Sequence, residues 1–599
     1  MRKRNKIGHA FSEHVFLTKR QRFQNREQSR DGFDFVKRLP IMILGIVFII
    51  FVLRLLTLQV VRGEYYERLS NENRIRTTLI PAPRGIIFDR NGEALVRNTP
   101  TFSVIEDGKV RWLTQDEALR RMEKEDNLVM SIPQREYLYR ELFAHALGYV
   151  GKLSREETLQ PEFSDYGFSD FTGRMGVEEE YERLLHGENG RRLVEVDAQG
   201  KYIRTLGEDF SKPGKNLMTT LDLEIQKSVF DAMISVESGA VVVSDPRNGA
   251  IRALLSKPTF DPNLFTKAQD YEPDGGYQDI DSIFSDKKNP LLNRTIGGLY
   301  PPGSTFKLVT ATAGLEEGAI DPTTRIKDTG VRTVGGTSFG TWNYLQYGKL
   351  EEPLNVVGAL RRSNDIFFYI MSEGVGATKF SEWAGKFGYG KPLNIDIPGE
   401  IAGVVPGPSW KERIIGEDWY LGDTYNMSIG QGFLQTTPLQ VNFMTNVIAN
   451  HGTLYRPHFL PEHQKIIRED FIHPENVELV RQGMLEACQT GGTGFPFFDF
   501  IVKNENLAID NLNFRSVSPG DLVATKSAQI DAQAVVVSVG CKTGTSETFD
   551  GSPPHAWFTV FAPYHNPEIT VTIIVEHGGE GSQVAAPIAK EILTDYFEE

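Results

Sequence analysis

AWFTVFAPYHNPEITVTIIVEH, residues 556–577, decides the fold class. Two runs rich in β-branched and aromatic residues flank a His-Asn-Pro turn, the pattern of paired antiparallel strands. Directly after them, QVAAPIAKEILTDYFEE (583–599) sets Val584, Ile588, Ile592 and Tyr596 at steps of four, one apolar face of a helix. The same texture occurs far upstream. AVVVSDPRNGAIRALLS (240–256) reads as two strands joined by the turn Asp245-Pro-Arg-Asn-Gly249. TTLDLEIQKSVFDAMIS (219–235) reads as a helix with Leu221, Ile225, Val229 and Met233 on one face, capped near Thr220 or Asp222. Strands from both ends of the 220–599 half thus share one antiparallel sheet with helices packed on it, an α+β arrangement. Between them lie helical stretches, notably 304–317 and 355–373.

Upstream the texture changes. Residues 62–220 are dense in charge and poor in long apolar runs; RMGVEEEYERLLHGENGRRLVEVDAQG (174–200) predicts a helix over 177–186 ended by Gly187, a strand around 192–197 and a turn at Gln199-Gly200. Further back, LPIMILGIVFIIFVLRLLTLQVV (39–61) holds one charge, Arg54. As a helix it would span roughly 34 Å, enough for the hydrocarbon core of a bilayer. Residues 1–38 carry 11 Lys/Arg against four Asp/Glu, a local +7, so the tail is expected in the cytoplasm and everything after 61 outside. Arg54 then snorkels to the outer headgroups. No A-x-A-like cleavage site follows, which predicts a retained single-pass anchor.

The chain of 599 residues exceeds one compact core, so about two to four domains are expected. With 40% hydrophobic and 24% charged residues it is neither collagen-like nor wholly disordered. A net charge of -14 argues against nucleic-acid binding. Two cysteines, Cys488 and Cys541, supply neither a disulfide framework nor a zinc ribbon, and the 11 histidines are scattered, so no metal or cofactor is signalled.

Three stretches could carry chemistry. In Tyr300-Pro-Pro-Gly-Ser-Thr-Phe-Lys307, Ser304 and Lys307 share one face of a first helical turn. A serine is a poor nucleophile until a base takes its proton, and a desolvated lysine can serve as that base. Alone the pattern is weak, since S-x-x-K arises about twice by chance at this length. A second copy, Ser285-Asp-Lys-Lys288, runs into Asn289-Pro290, and the proline denies it a helical turn. The second stretch is Arg361-Arg-Ser-Asn-Asp-Ile366, where Ser363 or Asn364 could equally cap an apolar helix. The third is the β-rich run Val535–Val539 leading to Cys541-Lys542-Thr543-Gly544-Thr545, in which an edge strand can offer a cation and hydroxyl to a carboxylate and backbone N–H groups to an oxyanion.

Together and in this order, S-x-x-K, S-x-D and K-T-G resemble the penicillin-binding transpeptidases. Pro83-Arg-Gly-Ile-Ile-Phe-Asp-Arg-Asn-Gly92, Gly173-Arg-Met-Gly-Val-Glu-Glu-Glu-Tyr181, Leu221-Asp-Leu223 and Ile429-Gly-Gln-Gly432 are similar to stretches of class B members. His145-Ala-Leu-Gly-Tyr-Val150, Leu185-His-Gly-Glu-Asn-Gly190 and Trp419-Tyr-Leu-Gly-Asp423 lean towards the elongation branch, the penicillin-binding protein 2 group. The resemblance implies a cytoplasmic tail (1–38), a membrane helix (39–61), an elongated pedestal of mixed short strands and helices with a reduced head (62–220), and a serine β-lactamase-like transpeptidase domain (221–599) with helices on both sides of its sheet. It also implies placement in the inner membrane with a periplasmic catalytic domain.

The family's site roles map onto Ser304 as acylated nucleophile, Lys307 as base, Ser363 as proton relay beside Asp365, and Lys542 with Thr543 as the carboxylate clamp. Gly544 and Thr545 line the pocket, and the N–H groups of Ser304 and Thr545 form the oxyanion hole. Expected partners are a stem pentapeptide ending in D-Ala-D-Ala, an acceptor amine, β-lactams and a SEDS-family (RodA-like) glycosyltransferase. Three departures stand out: Asp365 replaces the common Asn, 494–534 looks like an insertion acting as lid or docking surface, and Thr101–His145 is short. Cys541 is expected to be a small buried hydrophobe. A division-branch transpeptidase and a catalytically weak scaffold regulating a polymerase remain alternatives.

Overall fold

A computed structural model describes residues 33–598 apart from 107–108, 124–128, 165, 167–169, 198–201, 268–270, 274, 505, 508–511, 517–533 and 549. Residues 1–32 of the tail expected over 1–38, the Gln199-Gly200 turn and the middle of the 494–534 segment lie outside the described residues.

The chain divides into two compact units. The smaller is Met1–Arg76 with Val194–Arg204. Its long helix, Phe33–Leu56, continues through a wider turn, Thr57–Val61, and the stretch Leu39–Val61 is long and apolar enough to cross a membrane with none of it buried. A polar helix, Gly63–Arg74, follows, and Glu195 of this unit accepts from the guanidinium groups of Arg74 and Arg204.

In the larger unit the elements that position the site are α1 (Leu223–Ala232), β1 (Gly239–Ser244), β2 (Ile251–Lys257), α2 (Lys307–Glu316), α3 (Val356–Arg362), α4 (Asp365–Val375), α5 (Pro438–Ala449), α6 (Pro474–Ala487), β3 (Gly540–Ser546), β4 (His555–Ala562), β5 (Ile569–Val575) and α7 (Ala585–Glu598). The expected sheet forms: strands from the two ends pair in the order β2-β1-β5-β4-β3, antiparallel throughout. Val242 of β1 lies opposite Leu254 of β2 and Thr572 of β5, which brings the two ends of the half into one register.

Strand alternation sends side chains to both faces, and both are covered. Val241, Val243, Phe558 and Ile573 pack with Val229 of α1 and Ile588 and Ile592 of α7. Val242, Trp557 and Ile574 pack with Val309 of α2, Phe367 of α4 and Val441 of α5. Each such buried side chain contributes about 1.5–3 kcal/mol. Asn442 on α5 satisfies a polar seam, donating to Val242 O and Thr570 O and accepting from Ser244. Of the two expected cap positions Asp222 is the one used: it caps α1 by accepting from the N–H groups of Glu224 and Ile225.

Three local outcomes differ from the sequence reading. The helical stretch 355–373 is two helices, broken where Ser363 takes φ +52°. The β-rich run 535–539 does not continue into the K-T-G strand: Ala534–Val537 is the middle strand of a separate small sheet with Ile501–Lys503 and Phe514–Ser516, the described ends of the 494–534 segment. The expectation of no disulfide, with Cys541 a plain buried hydrophobe, is corrected. Cys541 on β3 is bonded to Cys488 at the end of α6, with Cα atoms 5.8 Å apart, because α6 lies alongside that edge strand.

Upstream in the larger unit, Ala94–Glu106 pairs with Lys109–Leu113 and Val129–Tyr137. A buried ionic cluster holds this region together. Arg84 spans Glu178 (2.7 Å) and Glu182 (2.8 Å), and Arg135 reaches Glu178 at 2.6 Å. The helix expected over 177–186 is two short ones, Gly176–Glu180 and Glu182–Leu185.

Candidate active site

Three backbone segments converge on Ser304, and glycine makes the convergence possible. Gly303 (φ +55°) turns the chain into the short 3-10 turn Gly303–Phe306 that feeds α2. Its N–H donates to Gly430 O at 2.9 Å, and a Cβ on Gly303 would stand 2.7 Å from Thr545 O. Gly430 (φ +75°) is tighter still, with room for a Cβ only 2.1 Å from Gly303 O. Trp557 of β4 donates its indole N–H to Pro301 O at 3.0 Å and fixes the Ser304 turn against the sheet. Gly544 lets β3 approach: a Cβ there would meet Trp557 Cβ at 2.9 Å and Thr305 Cγ2 at 3.0 Å.

Lys307 opens α2 with its side chain 0% exposed. Its Nζ donates to Asp365 Oδ1 (2.6 Å), Ser363 O (2.9 Å) and Ser363 Oγ (3.3 Å). Lys542 on β3 is equally buried, and its Nζ donates to Ser363 Oγ at 2.8 Å and to Thr543 O at 3.0 Å. The Ser363 hydroxyl therefore bridges the two ammonium groups. The competing capping role is real but falls to its neighbour: Asn364 caps α4, accepting from Phe367 N–H at 2.9 Å, and its amide donates to Asp328 Oδ2 at 3.0 Å. Capping by Asn364 leaves Ser363 free to point at the lysines. Asp365 Oδ2 accepts from Trp342 N–H at 3.2 Å, and Asp365 N–H donates to Thr341 Oγ1 at 3.3 Å.

Two ammonium groups and one carboxylate in a dry site leave a surplus of positive charge. Burial pushes the Lys307 amine below the ordinary lysine range, with Asp365 opposing. Burial and then the like charge of Lys307 hold Lys542 well below that range, again against Asp365. Burial thus disfavours the charged form of both amines, the direction in which a general base must be shifted.

Thr543 donates to Thr493 Oγ1 at 2.8 Å, and Thr545 is exposed at the cleft with its carbonyl held by Gln431 Nε2 at 3.1 Å. The second S-x-x-K copy lies elsewhere. Ser285 ends the helix Ile280–Ser285, while Lys288 is half-exposed and pairs with Glu237 at 2.7 Å. Among the described residues no cluster of three or more His, Cys, Asp or Glu could hold a metal.

With this geometry in place, the comparisons decide the family. Residues 239–594 match the penicillin binding protein transpeptidase domain and 109–219 the penicillin-binding protein dimerisation domain. The chain belongs to the penicillin-binding transpeptidase family. Peptidoglycan D,D-transpeptidase MrdA of Haemophilus influenzae is 30% identical over 96% of this chain and 93% of its own length. Among solved structures, penicillin-binding protein 2 from Helicobacter pylori in complex with MreC has TM-score 0.70 at 26% identity, covering 87% of this chain and 98% of that one. A peptidoglycan synthase complex described as coordinating polymerization and crosslinking has TM-score 0.69 at 25% identity, covering 94% and 99%.

Within that family frame, the structure brings Lys307, Ser363, Asp365, Lys542 and Thr543 into one hydrogen-bonded group, with Ser304, Gly544 and Thr545 beside it. Thr493, Trp342, Asp328 and Gln431 were not singled out from the sequence. Only Gln431 had a signal there, inside Ile429-Gly-Gln-Gly432. The other three reach the site across long separations that no local pattern marks.

Proposed function

We propose that this chain is a serine D,D-transpeptidase that cross-links peptidoglycan stem peptides during cell-wall elongation, with Ser304 as nucleophile. The observation that carries the assignment of roles is the bridging of Lys307 and Lys542 by the Ser363 hydroxyl. The C-terminal carboxylate of a donor stem brings the negative charge that the two lysines lack, and it docks on Lys542 and Thr543. Lys307, neutral, takes the Ser304 proton as Oγ adds to the carbonyl of the penultimate D-Ala. The oxyanion is held by the N–H groups of Ser304 and Thr545. The C–N bond breaks, the leaving amine collects the proton through Ser363, and D-Ala departs. An acceptor amine then adds to the ester carbonyl and gives its proton to Lys307, which passes it to Ser304 Oγ as the C–O bond breaks and the new amide forms. A β-lactam would enter by the first half and stall there. Asp365 orients Lys307 while its charge opposes the loss of the amine's proton, and the buried, fully hydrogen-bonded Lys307–Ser363–Lys542 group favours an active enzyme over a scaffold.

The same reading assigns 62–220 as pedestal, 221–599 as catalytic domain and 494–534 as an insertion. The cationic tail supports a cytoplasmic N-terminus, and the Cys488–Cys541 disulfide suits an oxidising compartment outside the inner membrane. The likeness to a peptidoglycan synthase complex supports a SEDS-family (RodA-like) polymerase as membrane partner. Full-length chain incubated with a nascent glycan polymer bearing pentapeptide stems, in the presence of such a polymerase, tests this. Cross-linked dimers with release of D-Ala, both lost in Ser304→Ala, are expected. Polymer without cross-links in the wild type overturns the assignment.

A further inference from the structure

The disulfide lies directly behind the carboxylate clamp. Cys541 immediately precedes Lys542 on β3 and is wholly buried, and Cys488 ends α6 with 3% exposure. Between Cys488 and the main sheet the chain makes the turn Gln489–Gly494, and this turn is pinned from the opposite wall of the cleft. Arg361 and Arg362, the last residues of α3 before Ser363, donate to Thr490 O and Gly491 O, each at 2.7 Å. Gly494 closes the turn by donating to Ala487 O at 2.8 Å, and a Cβ on Gly494 would stand 2.6 Å from Cys541 Sγ. Thr493 in the same turn accepts the hydrogen bond of Thr543.

A single short turn therefore touches the disulfide, the helix that delivers Ser363 and the hydroxyl of the clamp. β3 needs such a tether. It is the edge of the sheet, laddered to β4 on one side only, while the bond from Lys542 to Ser363 Oγ at 2.8 Å tolerates only a few tenths of an ångström before it fails.

We propose that the Cys488–Cys541 disulfide is a positioning device for the reaction: it locks Lys542 and Thr543 in register with Ser363 through the Gln489–Gly494 turn, so that recognition of the substrate carboxylate depends on the disulfide being closed. The proposal rests on the roles given to Lys542 and Thr543 above. Since the chain has no other cysteine, any thiol–disulfide effect on the site maps to this pair. A dithiol reductant opens it by exchange, leaving two thiols on the protein and a disulfide on the reagent.

The test compares acylation of the full-length, detergent-solubilised chain by two thioester donors, one ending in a free carboxylate and one with that carboxylate amidated. Wild type, wild type in which a dithiol has freed both thiols by titration and has then been removed, the double variant Cys488→Ser/Cys541→Ser, and Thr493→Val with the disulfide intact are measured, each with its melting temperature. Opening the disulfide should lower the preference for the carboxylate donor about tenfold, the scale of one hydrogen bond to a charged group. Thr493→Val should lower it about threefold, the scale of one neutral bond. A preference unchanged in the dithiol-treated and Cys-less proteins overturns the inference, whether both rates fall together through general destabilisation or neither moves. If the Cys-less variant does not fold, the dithiol-treated chain and Thr493→Val decide it. No acylation of untreated wild type by either donor would instead be a failure of the functional reading.

Discussion

Replacing Asp365 by asparagine keeps the shape of the side chain and removes one negative charge 2.6 Å from Lys307 Nζ. Lys307 is fully buried, and the Asp365 side chain is 13% exposed, so the pair is only lightly screened by water. A hydrogen bond to a charged partner is worth about 1.5–3 kcal/mol, and weakening it lowers the lysine's proton affinity. Both lysines are pushed down by burial, and Asp365 opposes that fall in each. The sign is therefore the same whichever of them sets the acid side of the profile. The second-order rate constant for acylation by a penicillin, measured from about pH 5 to about pH 10, rises as the base loses its proton. In Asp365→Asn that rise should move towards acid, with a lower plateau from the loosened orientation of Lys307. A rise that stays in place, or moves towards alkali, would refute the claim that Asp365 holds charge on the base.

Other consequences are structural. Gly430→Ala places a methyl group 2.1 Å from Gly303 O at φ +75°; we expect acylation to fall at least about tenfold as the Ser304 turn shifts, and unaltered acylation kinetics would contradict the three-way backbone crossing. Burial lowers the His145 imidazole to about 4 from its ordinary 6.5. The unfolded chain therefore binds this proton first, and the stability present above about pH 6.5 is lost on acidification towards pH 4, a total of about 3 kcal/mol. Urea midpoints across that range should show the slope in wild type and a flatter one in His145→Gln; equal slopes would sink the assignment. Arg84→Met leaves Glu178 buried with Arg135 as its remaining partner and should cost about 3–5 kcal/mol in thermal or urea denaturation, whereas a loss below about 1 kcal/mol would mean the cluster is dispensable.

The sheet was legible because its strands are local patterns. In 240–256 and 556–577 the runs of β-branched and aromatic residues, each broken by turn residues, mark the strands at both ends of the half. The candidate site was legible because Ser304 with Lys307, Ser363 with Asp365, and Lys542 with Thr543 each sit in a short motif. What stayed hidden depends on long-range packing. Ser363 and Asn364 are chemically interchangeable as caps, and only the left-handed turn at Ser363 decides which one caps α4. The run 535–539 looks continuous with Lys542, yet Ser538 N–H donates to Asn513 O and the chain changes sheets there. The two cysteines are separated by 53 positions, and nothing between them announces that α6 will lie against β3.

The central claim is that Ser304 is the residue acylated. Benzylpenicillin labelling of the full-length chain, followed by peptide mapping in a mass spectrometer, tests it most directly, with wild type beside Ser304→Ala and Ser285→Ala. One adduct on the peptide containing Ser304, absent from Ser304→Ala and intact in Ser285→Ala, is the expected result. An adduct on any other serine, or labelling that survives in Ser304→Ala, would contradict it.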